Sequence, residues 1–209
     1  PTLSGDGGPA LAATLNIPYA VATDAGGNLY IADAANARVR KINPQGIITT
    51  VAGGGSVLGD GGPATAASLV TPRGLAFDRL GNLYIADSEG HRVRKVTPQG
   101  IITTIAGTGE RWSSGDGGPA INADVAYPQA VVADSAGNVY ICEGWHPFSS
   151  SIRKIDPAGI ITTFTGGAYG YGGDGGPAKQ ARINYPAGMA LDSSGNLYLA
   201  DTGNHRVRR

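Results

Sequence analysis

The hexapeptide Gly-Asp-Gly-Gly-Pro-Ala occurs four times in this chain of 209 residues, beginning at Gly5, Gly59, Gly115 and Gly173. A segment that recurs at intervals of 54, 56 and 58 residues must fold into the same structural unit each time, and the period is too long for the short solenoid repeats. The repeat units run from about 5–58, 59–114, 115–172 and 173–209.

Unit two shows the parts most clearly. Pro63 is suited to the start of a short helical turn, where a missing N–H costs nothing. Beyond Pro72, the residues Gly74 to Asp78 read as a first strand, and a Leu-Gly-Asn turn at 80–82 leads into a second, Leu-Tyr-Ile-Ala-Asp at 83–87. A polar loop at 88–90 precedes a third strand at 91–96. A Thr-Pro-Gln-Gly turn then leads to a fourth, Ile-Ile-Thr-Thr-Ile-Ala at 101–106, rich in β-branched residues. Four short strands joined up and down make one blade of a β-propeller. The expected fold class is therefore all-β, with four-stranded antiparallel blades. Tyr30, Tyr84, Tyr140 and Tyr198 should occupy equivalent positions in the four units.

The pattern Pro-x-Gly-x-Ala-x-Asp, then Gly-Asn-Leu-Tyr-Ile-Ala-Asp, then Asn204-His205-Arg206-Val207-Arg208, resembles the NHL repeat over essentially the whole chain. The Gly-Asp-Gly-Gly-Pro-Ala insertion is similar to the variant found in many bacterial surface or secreted proteins and in teneurins. The resemblance implies a ring, most often of six blades, with a closed ring of four as the alternative. It also implies an extracytoplasmic setting, with functions that range over protein binding, RNA binding and a few enzymes. The last unit ends after its third strand, which predicts further blades in a parent protein or self-association through an open edge. A chain that opens on Pro1 is expected to be processed or excerpted.

Sixteen basic residues balance sixteen acidic ones, so no global field draws the chain to nucleic acid. No run approaches the roughly 18 apolar residues of a spanning helix, so membrane insertion is not expected. Cys142 is the only cysteine, which excludes an intrachain disulfide and a thiolate metal cage. No cofactor is expected.

Several constellations have a chemical and a structural reading. Asp6, Asp60, Asp116 and Asp174 could ring a Ca²⁺ ion, but one identical use per unit favours a local role, capping the turn that begins at Pro. His91, His146 and His205 could hold Zn²⁺, as in a propeller lyase, yet two of them fill the repeat's own His position. Arg38, Arg40 and Lys41 recur as Arg92, Arg94 and Lys95, and read as a solvated blade edge paired with nearby carboxylates. Ser151 and Lys154 match S-x-x-K, but residues three apart on a strand face opposite ways.

A specific site on a repeating scaffold must break the repeat. Unit three does so most. Its second strand ends Cys142-Glu143 where the others end Ala-Asp, and the loop that follows expands into Gly144-Trp145-His146-Pro147-Phe148. The crossing before it holds Trp112, and the crossing after it holds Tyr169 and Tyr171. Trp112, Glu143, Trp145, His146, Phe148, Tyr169 and Tyr171 are thus the candidate ligand-binding residues, at the loop-rich end of a non-catalytic module for a protein or glycan partner. The alternatives are a metal-dependent lyase or hydrolase and a purely architectural part of a larger surface protein.

Overall fold

A computed structural model describes residues 4–146 and 149–209, and the side chains of all of these except 145, 146 and 149. Its strands form four antiparallel sheets in chain order. Blade one holds β1 (Pro18–Thr23), β2 (Leu29–Asp33), β3 (Arg38–Ile42) and β4 (Ile48–Gly53). Blade two holds β5 (Pro72–Phe77), β6 (Leu83–Asp87), β7 (Arg92–Val96) and β8 (Ile102–Ala106). Blade three holds β9 (Pro128–Ala133), β10 (Val139–His146), β11 (Ser149–Ile155) and β12 (Ile161–Gly166). Blade four has three strands, β13 (Pro186–Leu191), β14 (Leu197–Asp201) and β15 (Arg206–Arg208). The remaining helical content is single 3-10 turns of three residues.

Each inner turn is organised by the aspartate that directly follows the first strand of its blade. Asp24 Oδ1 accepts the backbone N–H of Gly26 and Asn28, while Oδ2 accepts the Asn28 side chain and the Tyr30 hydroxyl. Asp78, Asp134 and Asp192 repeat all four bonds, ending on Tyr84, Tyr140 and Tyr198. The four tyrosines are therefore equivalent, and each ties its second strand to the preceding turn. Burial pushes the carboxyls of Asp24, Asp78 and Asp134 up, and the bonds from asparagine and backbone outweigh it, so all three lie below the usual carboxylate range.

The hexapeptide is not a free loop. In blade two Gly61 N–H donates to Ile102 O, Ile102 N–H donates to Gly62 O, and Ala64 N–H donates to Gly100 O. Blades one and three make the same three bonds around Ile48 and Ile161. The crossing thus runs along the outer strand of the blade it enters, and the three isoleucines are buried. Alternation of Gly at positive φ, as at Gly59 and Gly61, lets the backbone lie this close. The turn after Pro63 spans Ala64–Ala66, with Pro63 just ahead of it in an extended conformation.

Blades pack on one another through apolar faces. Ala52, Ala67, Leu69 and Ile85 are buried between blades one and two, Val93, Val125 and Ile141 between two and three, and Ile152, Ile183 and Leu199 between three and four. The inner strands follow in sequence, β1 against β5, β5 against β9 and β9 against β13. Among the described residues no comparable packing joins β13 to β1. Val21 of β1 is accordingly 64% exposed, where Leu75 and Val131 at the same repeat position are 8% and 2% exposed.

Candidate binding face

The loops at the end where β2, β6 and β10 finish are held by a buried arginine in each of blades one to three, and Arg208 takes the same place in blade four. Arg40, Arg94 and Arg153 are all but inaccessible, which corrects the expectation of a solvated edge. The valine or isoleucine before each arginine packs between blades, and the arginine, on the opposite face of the same strand, is covered by the crossing of its own unit, Arg40 donating to Ser4 O, Arg94 to Leu58 O and Arg153 to Ser114 O. Each guanidinium reaches the crossing aspartate of its own unit: Arg40 to Asp6 at 2.8 Å, Arg94 to Asp60 at 2.9 Å and Arg153 to Asp116 at 2.7 Å, with Arg208 pairing Asp174 likewise. These aspartates therefore anchor arginines. They do not cap the 3-10 turns, which have no side-chain cap.

The acid ending the second strand closes the same unit. Asp33 accepts Asn16 N–H at 2.7 Å, Asp87 accepts Val70 and Thr71 N–H, and Asp201 accepts Asn184 N–H at 2.7 Å, fixing the backbone just before each first strand. In blade three Glu143 holds this place, fully buried, with Oε1 accepting Ala126 N–H at 3.1 Å and lying 3.5 Å from Arg153. One added methylene brings Oε2 within 2.7 Å of both the Ser113 and Ser151 hydroxyls. Burial pushes the Glu143 carboxyl up, against Arg153 and the two serines. Glu143 is thus an interior brace, with its length used to hold the crossing that carries Trp112.

Trp112 itself is 55% exposed, with the Arg111 guanidinium over its ring at 5.6 Å. Tyr169 and Tyr171 lie on the other side of blade three. Tyr169 meets Tyr185 edge to face at 5.9 Å, and Tyr171 is covered by Arg206 at 4.1 Å while its hydroxyl donates to Asp174. The expected expansion after Glu143 is a lengthened hairpin: β10 and β11 extend to pair His146 with Ser149. Phe148 and the side chains of Trp145 and His146 lie outside the described residues. The structure therefore sets Trp112 on one junction flanking blade three and Tyr169 and Tyr171 on the other, with Glu143 beneath.

Of the histidines, His91 serves a junction between blades. His91 has positive φ, meets Tyr127 of the next blade edge to face at 4.4 Å, and accepts Tyr127 N–H at Nδ1. Burial lowers its pKa, helped by Arg92. His205, in the same repeat position, is exposed. Among the described residues no group of three or more His, Cys, Asp or Glu is assembled that could hold a metal ion.

One row of residues at this end escaped the sequence reading. The residue after the strand-opening proline differs in every unit: Tyr19, Arg73, Gln129 and Ala187. Arg73 stacks on Tyr19 at 4.6 Å and donates to Gln129 Oε1 at 2.9 Å, and Gln129 donates to Ser88 Oγ at 3.0 Å. The row links three blades along their inner strands. Variation at a single repeat position was the signal that could have found it.

Comparison with known proteins agrees with this architecture. The family described as Teneurin NHL domain matches residues 2–58 and 55–114, and the NHL repeat matches residues 184–209. Teneurin-1 of Homo sapiens is 29% identical over 230 residues, an alignment that takes in 98% of this chain and 8% of that protein. A Bacteroides thetaiotaomicron protein of unknown function superposes with a TM-score of 0.72 at 24% identity, over 91% of this chain and 46% of that one. Virginiamycin B lyase of Staphylococcus aureus does so with a TM-score of 0.55 at 15% identity, over 91% and 54%. At these identities the two solved structures speak for the fold alone. The chain spans about half of each solved structure and a small fraction of the teneurin, and with its four antiparallel blades and matched repeats it belongs to the teneurin NHL-domain family of β-propellers.

Proposed function

We propose that this propeller is a non-catalytic binding module that presents the loop end of blade three to a protein partner outside the cytoplasm. The observation that carries the reading is Trp112. A tryptophan 55% exposed, on a crossing held from beneath by the buried Glu143 and Arg153, is an anchor whose ordering cost is already met. The Tyr19–Arg73–Gln129 row and the Tyr169–Tyr185 pair offer further aromatic and polar contacts at the same end. Similarity to teneurins supports a binding or architectural role and the extracytoplasmic setting. The charges that might serve catalysis are committed elsewhere, the crossing aspartates to arginines and His91 to Tyr127.

Selection of a displayed peptide library on the purified chain tests this. Binders should weaken at least about tenfold against Trp112→Ala, with the melting temperature unchanged. Binders indifferent to Trp112 would refute the assignment of the face. Stoichiometric zinc in the purified protein would favour the lyase-like alternative instead.

A further inference from the structure

In blades two to four the N–H of the residue ahead of the strand-opening proline is placed in one of two ways. Thr71 gives it to Asp87 of its own blade at 2.8 Å. Tyr127 and Tyr185 are turned to φ of +42° and +46°, a conformation that bulky residues seldom adopt. Each gives its N–H across the junction to a side chain of the preceding blade, Tyr127 to His91 Nδ1 and Tyr185 to Ser150 Oγ, both at 3.3 Å. His91 and Ser150 hold the same repeat position, since a side chain at Gly107 would strike His91 O as one at Gly166 would strike Ser150 O. The two acceptors differ in one respect: a hydroxyl does not titrate near neutrality, and an imidazole does.

The bond to His91 is the first of a series. Tyr127 O accepts Gln129 Nε2 at 2.9 Å, and the same nitrogen donates to the hydroxyl of the buried Ser88 at 3.0 Å. Gln129 Oε1 in turn accepts Arg73 Nη1 at 2.9 Å, with Arg73 over the Tyr19 ring. To accept at Nδ1 the imidazole must be neutral, with its proton on Nε2. The charged groups that act on it are Glu89 and Arg92 from its own blade and Glu110 and Arg111 from the crossing, and the Tyr127 ring meets it edge to face at 4.4 Å. Burial, then Arg92, favour the neutral form, against Glu89 and Glu110.

We propose that His91 is a pH-sensitive latch on the inner row. Neutral, it holds Tyr127 turned, with Gln129 and Arg73 fixed behind it. Protonated, it has a donor at both ring nitrogens, the Tyr127 N–H loses its acceptor, and the row relaxes. A tyrosine at positive φ persists only while its surroundings enforce it, so the segment ahead of Pro128 has a relaxed state to move to. The latch is closed above the ordinary histidine value of 6.5 and opens as pH falls through the lower value that His91 has in the folded chain. It bears on the binding face proposed above, because the row lies at that end, yet it belongs to the chain alone and is read with no partner present.

The test is NMR spectroscopy of the 209-residue chain between about pH 8 and pH 5, following the His91 imidazole, the Tyr127 amide and the Gln129 side-chain amide. All three should move with one midpoint, below the usual histidine value. His91→Asn supplies an acceptor that tolerates positive φ and does not titrate, and should remove the pH dependence of the other two signals. His91→Ala puts in this place the residue that Ala37, also at positive φ, puts there in blade one. It should speed hydrogen exchange at the Tyr127 amide at least about tenfold over the asparagine variant at the same pH. Tyr127 and Gln129 signals that stay still while the imidazole titrates, or that still move in the asparagine variant, overturn the proposal. So does equal exchange at Tyr127 in the two variants.

Discussion

The Ser113 hydroxyl donates to Glu143 Oε2 at 2.7 Å, so the residue beside the exposed Trp112 is fastened to a carboxylate that solvent does not reach. Arg153 Nη1 completes the link, donating to Ser113 Oγ at 3.0 Å. An aspartate, as in the other three blades, would be one methylene shorter than this reach requires.

Three variants separate the parts of that link. Glu143→Ala leaves Arg153 with one fewer counter-charge in the interior and should cost about 3–5 kcal/mol in urea unfolding. Ser113→Ala removes bonds to charged groups and should cost about 1.5–3 kcal/mol, with faster proteolysis of residues 108–114. Trp112→Ala should stay within about 0.5 kcal/mol of the parent. A Trp112 variant as unstable as the Glu143 variant would show that the indole is structural.

The buried arginines make a second prediction, this time of an order. Arg94→Met removes one of the two positive charges, with Arg92, that act on Asp87, which is 2% exposed, whereas Asp60→Asn alters a partner that water already reaches. The arginine variant should lose about 3–5 kcal/mol and the aspartate variant about 1 kcal/mol. Chemical denaturation of the two proteins measures both, and a reversed order would contradict the buried-brace reading.

Acid stability should follow the inner turns. In the folded chain Asp24, Asp78 and Asp134 titrate below their ordinary value, so their contribution is present above about pH 4 and is lost as pH falls through the folded values. Burial raises Asp87 and Glu143, whose contributions run the opposite way and partly mask the loss. Asp78→Asn should therefore be less stable than the parent at pH 5, with the gap narrowing by pH 2.5. At the alkaline end burial and the neighbouring aspartate push Tyr30 and Tyr84 up to about 12, so these two favour the folded state until pH rises from about 10 through that value. Absorbance near 295 nm should show part of the tyrosine titration delayed until unfolding.

These same residues show how far the sequence could be read. Blade count, strand order and the equivalence of the four tyrosines follow from a repeat with fixed contents, because a segment that recurs intact must make the same contacts each time. The inward arginines did not follow. Alternation along Arg38-Val39-Arg40-Lys41 places Val39 and Arg40 on opposite faces, and both are buried because both faces are covered, one by the neighbouring blade and the other by the crossing of the same unit. The turn aspartates were visible as the end of a pattern, but their four-bond role depends on Asn and Tyr four and six residues on. Glu143 stood out as a departure from the repeat. Whether it faces a ligand or the interior is decided by Ser113 and Ser151, which are distant in sequence and ordinary in type.

The last prediction concerns Cys142, whose thiol is inaccessible and donates to Pro186 O at 3.1 Å across the junction of blades three and four. Burial, and then the charge of Glu143, push the thiol well above its usual range, so the reactive thiolate is scarce as long as the junction is closed. A disulfide reagent at pH 8 should label the native chain slowly and the urea-unfolded chain at once, with one thiol per chain. The native rate measures how often blade four lifts from blade three, since Cys142 packs with Ile183 and Leu199 in that interface. Ile183→Ala, which hollows out the same cluster, should therefore raise the labelling rate at least about tenfold without altering the β-sheet circular dichroism. Fast labelling of the parent chain would mean that the two blades separate freely and that blade four is not held by this core.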